Sequence, residues 1–138
     1  PMYGKTFSTL GKTLDPITQD SCAFYERTAI FADYDGVANG PQEGINISKA
    51  LADKDFLILQ NHGILTTGSM IDTTIWYFLN MEDACKSQLI AESVGKPIKI
   101  PHNVACNTRD YVANDLSAFV SLQPLLDLLW EEEKDFLD

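Results

Sequence analysis

The chain has 138 residues, 45% of them hydrophobic and 22% charged, which fits a chain that builds a packed core and excludes a disordered or fibrous one. Ten Lys+Arg against twenty Asp+Glu give a formal net charge of -10, and an acidic surface repels phosphate backbones, so no nucleic-acid partner is expected, whereas a small anionic substrate in a local pocket stays compatible. No apolar run reaches membrane-spanning length, no signal-peptide pattern opens the chain, and Cys22, Cys85 and Cys106 are odd in number, far apart and without C-x-x-C pairing, so we expect no membrane partner, neither a zinc site nor a disulfide framework from the cysteines, and a cytoplasmic location.

Pro1-Met2-Tyr3-Gly4 offers no loose polar lead-in, and Lys5 to Leu10 already reads as a packed segment, so the chain is expected to begin inside a fold. Gly11 and Lys12 mark a turn. Leu14-Asp15-Pro16-Ile17 is extended, because a residue before proline is biased away from helix. Thr18 to Arg27 suits a short helix or irregular turn. Ala29 to Ala32 reads as a strand, with a second short one at Val37-Ala38. Asn39-Gly40-Pro41 is a loop signal. Glu43 to Leu51 is a short helix, with Glu43 favourable in its first turn.

Phe56 to Gly68 holds two apolar runs around Gln60-Asn61-His62-Gly63 and predicts strand, tight turn, strand. A histidine at such a turn can aim a ring nitrogen into a pocket; it can equally bond locally and do nothing more. Ser69 and Asp72 suggest a capped start for a long helix. Ile71, Ile75, Phe78, Leu79, Cys85 and Leu89 supply its core face at a 3.6-residue period, with Thr73, Asn80, Asp83 and Ser87 on the wet side. Trp76, Tyr77 and Met81 widen the apolar arc, which implies cover on more than one side or a second subunit. Gly95 and Pro97 stop this helix near Val94. Lys96 to Asn107 reads as a connector, Thr108 to Val112 as a helical turn, and Leu116 to Leu137 as a last helix that Pro124 starts anew or kinks. Glu131, Glu132 and Glu133 oppose the helix dipole at its end and predict fraying.

Zinc wants three or four His, Cys or carboxylate ligands. His62 is one candidate. His102 reads equally well as a plain loop histidine, and neither histidine is expected to have a local partner at i+2 or i+4. Cys22 and Cys85 sit among apolar residues and read as inert core thiols. No nucleotide-binding or serine-nucleophile motif is present. Carboxylate pairs such as Glu82 with Asp83 carry no specificity in so acidic a chain.

Leu59-Gln60-Asn61-His62-Gly63-Ile64-Leu65-Thr66, then Gly68 and the Trp76-Tyr77-Phe78 helix running into Gln88-Leu89-Ile90-Ala91, resembles the class II aldolase/adducin family. Pro1 to Lys12 is similar to the segment that follows the family's H-x-H motif, and the resemblance runs along essentially the whole chain. It implies a single α/β domain, a three-layer α/β/α fold with a mixed, mostly antiparallel central sheet, here the C-terminal portion, truncated at the N-terminus. It implies homo-oligomers, a Zn2+ or other divalent metal, and a sugar-phosphate-like substrate that undergoes aldol cleavage or epimerisation, the metal acting as Lewis acid. His62 matches the family's third histidine ligand, while the H-x-H pair and the upstream acidic residue are absent. One histidine does not give a catalytic zinc its usual three protein ligands. The expectation is therefore a truncated domain, inactive alone, with a sheet edge left open. The alternative is a non-catalytic, oligomerising interaction module of the adducin-head type, suggested by the apolar face around Trp76, Tyr77 and Phe78. A third reading, an active lyase with carboxylates in place of the missing histidines, ranks last.

Overall fold

The computed structural model describes residues 1–33 and 40–133. A short helix, α1 (Met2–Ser8), and a single 3-10 turn (Asp20–Phe24) precede strand β1 (Thr28–Phe31). Helix α2 (Pro41–Leu51) then leads into the hairpin of β2 (Phe56–Leu59) and β3 (Gly63–Thr66). Helices α3 (Ile71–Val94), α4 (His102–Val112) and α5 (Asp115–Glu132) complete the described chain. The expected strand at Val37-Ala38 and the expected helix end at Leu137 lie outside the described residues.

The fold is α/β with a mixed sheet ordered β1-β2-β3. β1 runs parallel to β2, with Ile30 opposite Ile58, and β2 runs antiparallel to β3, with Ile58 opposite Ile64. A parallel neighbour needs a crossover connection, and the segment containing α2 supplies it. The run Phe56-Leu57-Ile58 is buried throughout, which is how a strand covered on both faces reads. Phe56 and Ile58 join Phe7, Phe24, Tyr77 and Met81 in the main cluster. Leu57, of opposite parity, points to the other face, and α2 packs on β1 and β2. Helices therefore cover the sheet on both sides, as a three-layer arrangement requires. Edge-to-face contacts of Phe56 with Phe24 and with Tyr77, both at 4.9 Å between ring centres, make Phe56 the centre of the core.

Long-range polar contacts fasten α1 and the extended segment to α3. The Glu82 carboxylate accepts from the backbone N–H groups of Tyr3 (2.7 Å) and Gly4 (2.6 Å), satisfying donors that a helix start leaves open. Gly4 leaves room for this: a Cβ there would lie 2.8 Å from Glu82 Oε2 and 3.0 Å from Ile64 Cδ1. Gln88 is fully buried; its Oε1 accepts from Asp15 N at 2.8 Å and its Nε2 donates to Glu92 at 2.8 Å.

Three expectations are corrected. The core face of α3 is turned from the expected stripe: Thr73, Tyr77, Met81, Ala84, Cys85 and Gln88 are buried, while Ile71, Ile75 and Leu79 are exposed. Thr73 donates to Asp115 Oδ1 at 3.1 Å, and Gln88 is bonded as described. Satisfied polar groups can therefore occupy the buried side, and hydrophobicity alone mistakes the stripe. Ser69 does not cap α3; Met70 occupies the cap position and Ser69 Oγ donates to Asp115 Oδ2 at 2.7 Å. Residues 102–107 are helical rather than a connector, because Pro101 stands at the helix start, where a missing N–H costs nothing, and Ala105 is fully buried. Pro124 lies within a single helix, α5, which begins at Asp115 with Asn114 as its cap (Ser117 N–H to Asn114 Oδ1, 2.9 Å).

Candidate functional site

His62 sits in the turn between β2 and β3, as its flanking runs predict. The turn closes tightly: His62 N–H donates to Leu59 O at 2.9 Å, and Gln60 N–H to Phe31 O at 2.9 Å. Asn61, at φ +60°, takes the left-handed conformation that asparagine tolerates. Gly63, at φ +154°, uses backbone space that a side chain would strain. Asn61 N–H also reaches Ser8 O at 3.3 Å, so α1 braces the turn. The imidazole is exposed and borders a hollow of about 460 Å³ walled by Leu59, Ile64, Leu65, Ile75, Phe78 and Leu79. Part of the apolar stripe expected in the core of α3 thus walls this hollow instead. Among the described residues, His62 belongs to no group of three donors able to hold a metal. Its donor chemistry suits a divalent metal, but only as one ligand.

A second hollow, of about 320 Å³, is polar and opens beside Arg27, Asp55, Ser69, Thr73 and Asp115. Arg27 Nε donates to Asp55 Oδ2 at 2.7 Å, and the guanidinium lies 5.0 Å from the centre of the Phe56 ring and 5.5 Å from that of Tyr77, a cation–π arrangement. Asp115 is engaged by Ser69 and Thr73. These contacts tie the β2 end of the core to the start of α5, a structural task.

The thiols divide as their surroundings dictate. Burial, reinforced by the Glu82 charge, pushes Cys85 up to about 12, and burial also raises Cys22; both are buried and free, hence inert. Cys106 is different. It is half-exposed on α4, its Sγ 3.8 Å from the ring nitrogens of His102 and 3.7 Å from Glu26 Oε2. His102 Nδ1 lies 3.6 Å from Glu26 Oε1. Sequence reasoning passed over this trio. Its signal was the His-x-x-x-Cys spacing of His102 and Cys106, legible only once those residues are placed on a helix, where i and i+4 share a face. Glu26 could not have been found from sequence, since it joins from a distant turn.

Residues 1–89 match the family model described as the class II aldolase and adducin N-terminal domain. The chain is 36% identical over 124 residues to the decarboxylase NovR of Streptomyces niveus, covering 90% of this chain and 46% of that protein. It is also 36% identical over 124 residues to a 4-hydroxy-3-prenylphenylpyruvate oxygenase/4-hydroxy-3-prenylbenzoate synthase of Streptomyces roseochromogenus subsp. oscitans, covering 90% and 45%. Among solved structures, an L-fuculose 1-phosphate aldolase from Glaciozyma antarctica superposes with a TM-score of 0.84 at 35% identity, over 96% of this chain and 50% of that one. The chain thus spans about half the length of the relatives it matches. With that match over residues 1–89 and these relatives on the same fold, the chain belongs to the class II aldolase and adducin family.

Proposed function

We propose that this chain supplies one arm of a divalent-metal lyase site of the class II aldolase type, with His62 as a metal ligand. The observation that supports this reading is the turn itself. Two strands, the left-handed Asn61 and the Ser8 carbonyl hold a solvent-facing imidazole at the rim of a hollow, a rigid mount of the kind a ligand needs. The remaining ligands would come from outside the described residues, among which no group of three such donors includes His62. A Zn2+ or other divalent ion held there would supply Lewis acidity toward a substrate oxygen, the chemistry that aldol cleavage needs. His62 would be one of its ligands, and the side chains of Ile64, Leu65 and Phe78 line the hollow beside it. The substrate is a small sugar-phosphate-like molecule, and the relatives named above widen the class to other carbonyl-bearing acids. The chain works in the cytoplasm as a homo-oligomer, and the exposed Ile71, Ile75, Val120, Leu125 and Leu128 supply apolar surface for association with a second copy.

One arm is not a centre, so the 138 residues alone are inactive. Retro-aldol assays with sugar phosphates and added Zn2+ are expected to show no turnover. A rate that disappears in His62→Ala would overturn the one-arm reading. Paramagnetic Co2+ is expected to broaden the His62 ring resonances; unchanged lines would remove His62 as a ligand. The second reading, a non-catalytic association module, is favoured by the same exposed apolar residues. It fails if light scattering finds a strict monomer at micromolar concentration.

A further inference from the structure

We propose that Glu26, His102 and Cys106 form a second, surface metal site selective for a borderline-soft divalent cation such as Zn2+. The three side chains supply a carboxylate, an imidazole and a thiol, and their donor atoms all lie within 4.8 Å of one another. Zinc binds each of these donor types at about 2.0–2.3 Å, so a tetrahedral ion sets its ligands roughly 3.3–3.6 Å apart. The observed separations of 3.6, 3.7 and 3.8 Å exceed that by a few tenths of an ångström, within reach of small side-chain rotations. Three protein donors leave the fourth position to water.

The surroundings are those of a built site. His102 and Cys106 project from one face of α4, so two donors are preset by a helix. Glu26 approaches from just beyond the 3-10 turn, and its own φ of +60°, unusual for a glutamate, holds the chain there. The Tyr25 hydroxyl lies 3.2 Å from His102 Nδ1. In the tautomer that carries its proton on Nε2, Nδ1 keeps its lone pair and serves as the ligand, 3.6 Å from Glu26 Oε1 and 3.8 Å from the sulfur, and the Tyr25 hydroxyl gives up its place beside Nδ1 as the ion enters. Arg109 is the competing cation, its Nη1 3.5 Å from Glu26 Oε2. It also bonds Asp110 at 2.9 Å and the Tyr25 carbonyl at 3.4 Å, so it can release Glu26 and keep two partners. Partial burial and the Glu26 charge raise the Cys106 thiol, with Arg109 opposing; a metal displaces that proton and answers the negative charge. Two of the three donors lie beyond the residues that match the family model, and His62 is not among them. A bound ion would clamp α4 to the turn that carries Glu26.

Co2+ titration of the reduced protein tests the site. The expected result is a thiolate-to-cobalt charge-transfer band in the near ultraviolet that saturates at one equivalent and is bleached by Zn2+. The band should persist in His62→Ala, vanish in Cys106→Ser, and require at least tenfold more Co2+ in His102→Ala and Glu26→Gln. All three donors are exposed or half-exposed, and circular dichroism of each variant should match the parent. Absence of the band in the parent protein overturns the proposal. So does a band that survives in Cys106→Ser, which would place the sulfur at Cys22 or Cys85, or one lost in His62→Ala.

Discussion

The two histidines sit in opposite kinds of structure. His62 rides on a hairpin whose strands enter the centre of the core: Phe56, Leu57 and Ile58 are fully buried. His102 starts a helix that buries only Ala105 and is fastened by polar contacts to the Tyr25–Glu26 turn. The first is aimed by a rigid scaffold, the second by a local cluster. The hairpin histidine should therefore report on the stability of the whole fold, and the α4 cluster should come loose on its own.

The largest effect expected is at the hairpin's root. Phe56→Ala removes a ring packed on Phe24 and Tyr77 and should cost about 3–5 kcal/mol; urea unfolding measures it, and a loss under 1 kcal/mol would refute the central place given to this ring. Next is Gln88→Ala, which strips partners from Asp15 N and Glu92 and should cost about 1–3 kcal/mol. A matching loss at α4 is predicted for Ala105→Leu, which overfills a fully buried position at about 1–3 kcal/mol. Here hydrogen exchange should speed up in α4 and leave the β2–β3 amides protected. Equal acceleration in both regions would erase the contrast. Asn61→Val puts a β-branched residue at φ +60° and should cost roughly 1–2 kcal/mol, with amide shifts confined to the turn.

The smallest effect is electrostatic. Hydrogen bonds from Lys12 and then Gln88 hold the Glu92 carboxyl below its ordinary value. A carboxylate lowered on folding stabilises the chain above its unfolded pKa, and that contribution fades as pH falls through the folded value. Lys12 donates to Glu92 Oε2 at 2.6 Å, but both side chains are partly solvated, so the contribution should stay below about 1 kcal/mol. Glu92→Gln should narrow the gap between stability measured at neutral and at acid pH; an unchanged gap would remove Glu92 from the account.

Much of this was legible along the chain. Continuous apolar runs marked β2 and β3, Gly95 and Pro97 marked the end of α3, and the hairpin with its histidine carried the family resemblance. The inward face of α3 was not legible, because Thr73 and Gln88 are buried through partners far away in sequence, Asp115 and Asp15. Nor was the role of Glu82, one acidic residue among many until the α1 N–H groups converge on it.

What the sequence determined by itself was therefore local and periodic: the hairpin strands, the long helix and where it stops, and which histidine sits at a turn. Only the tertiary structure decided which residues meet. Glu26 reaches His102 and Cys106 from the far side of the sheet-forming segment, and Ser69 answers Asp115 rather than its own helix. Hydrophobicity and turn chemistry are properties of neighbouring residues, readable in order; hydrogen-bond partners and ligand clusters are pairwise properties of residues that folding alone brings together.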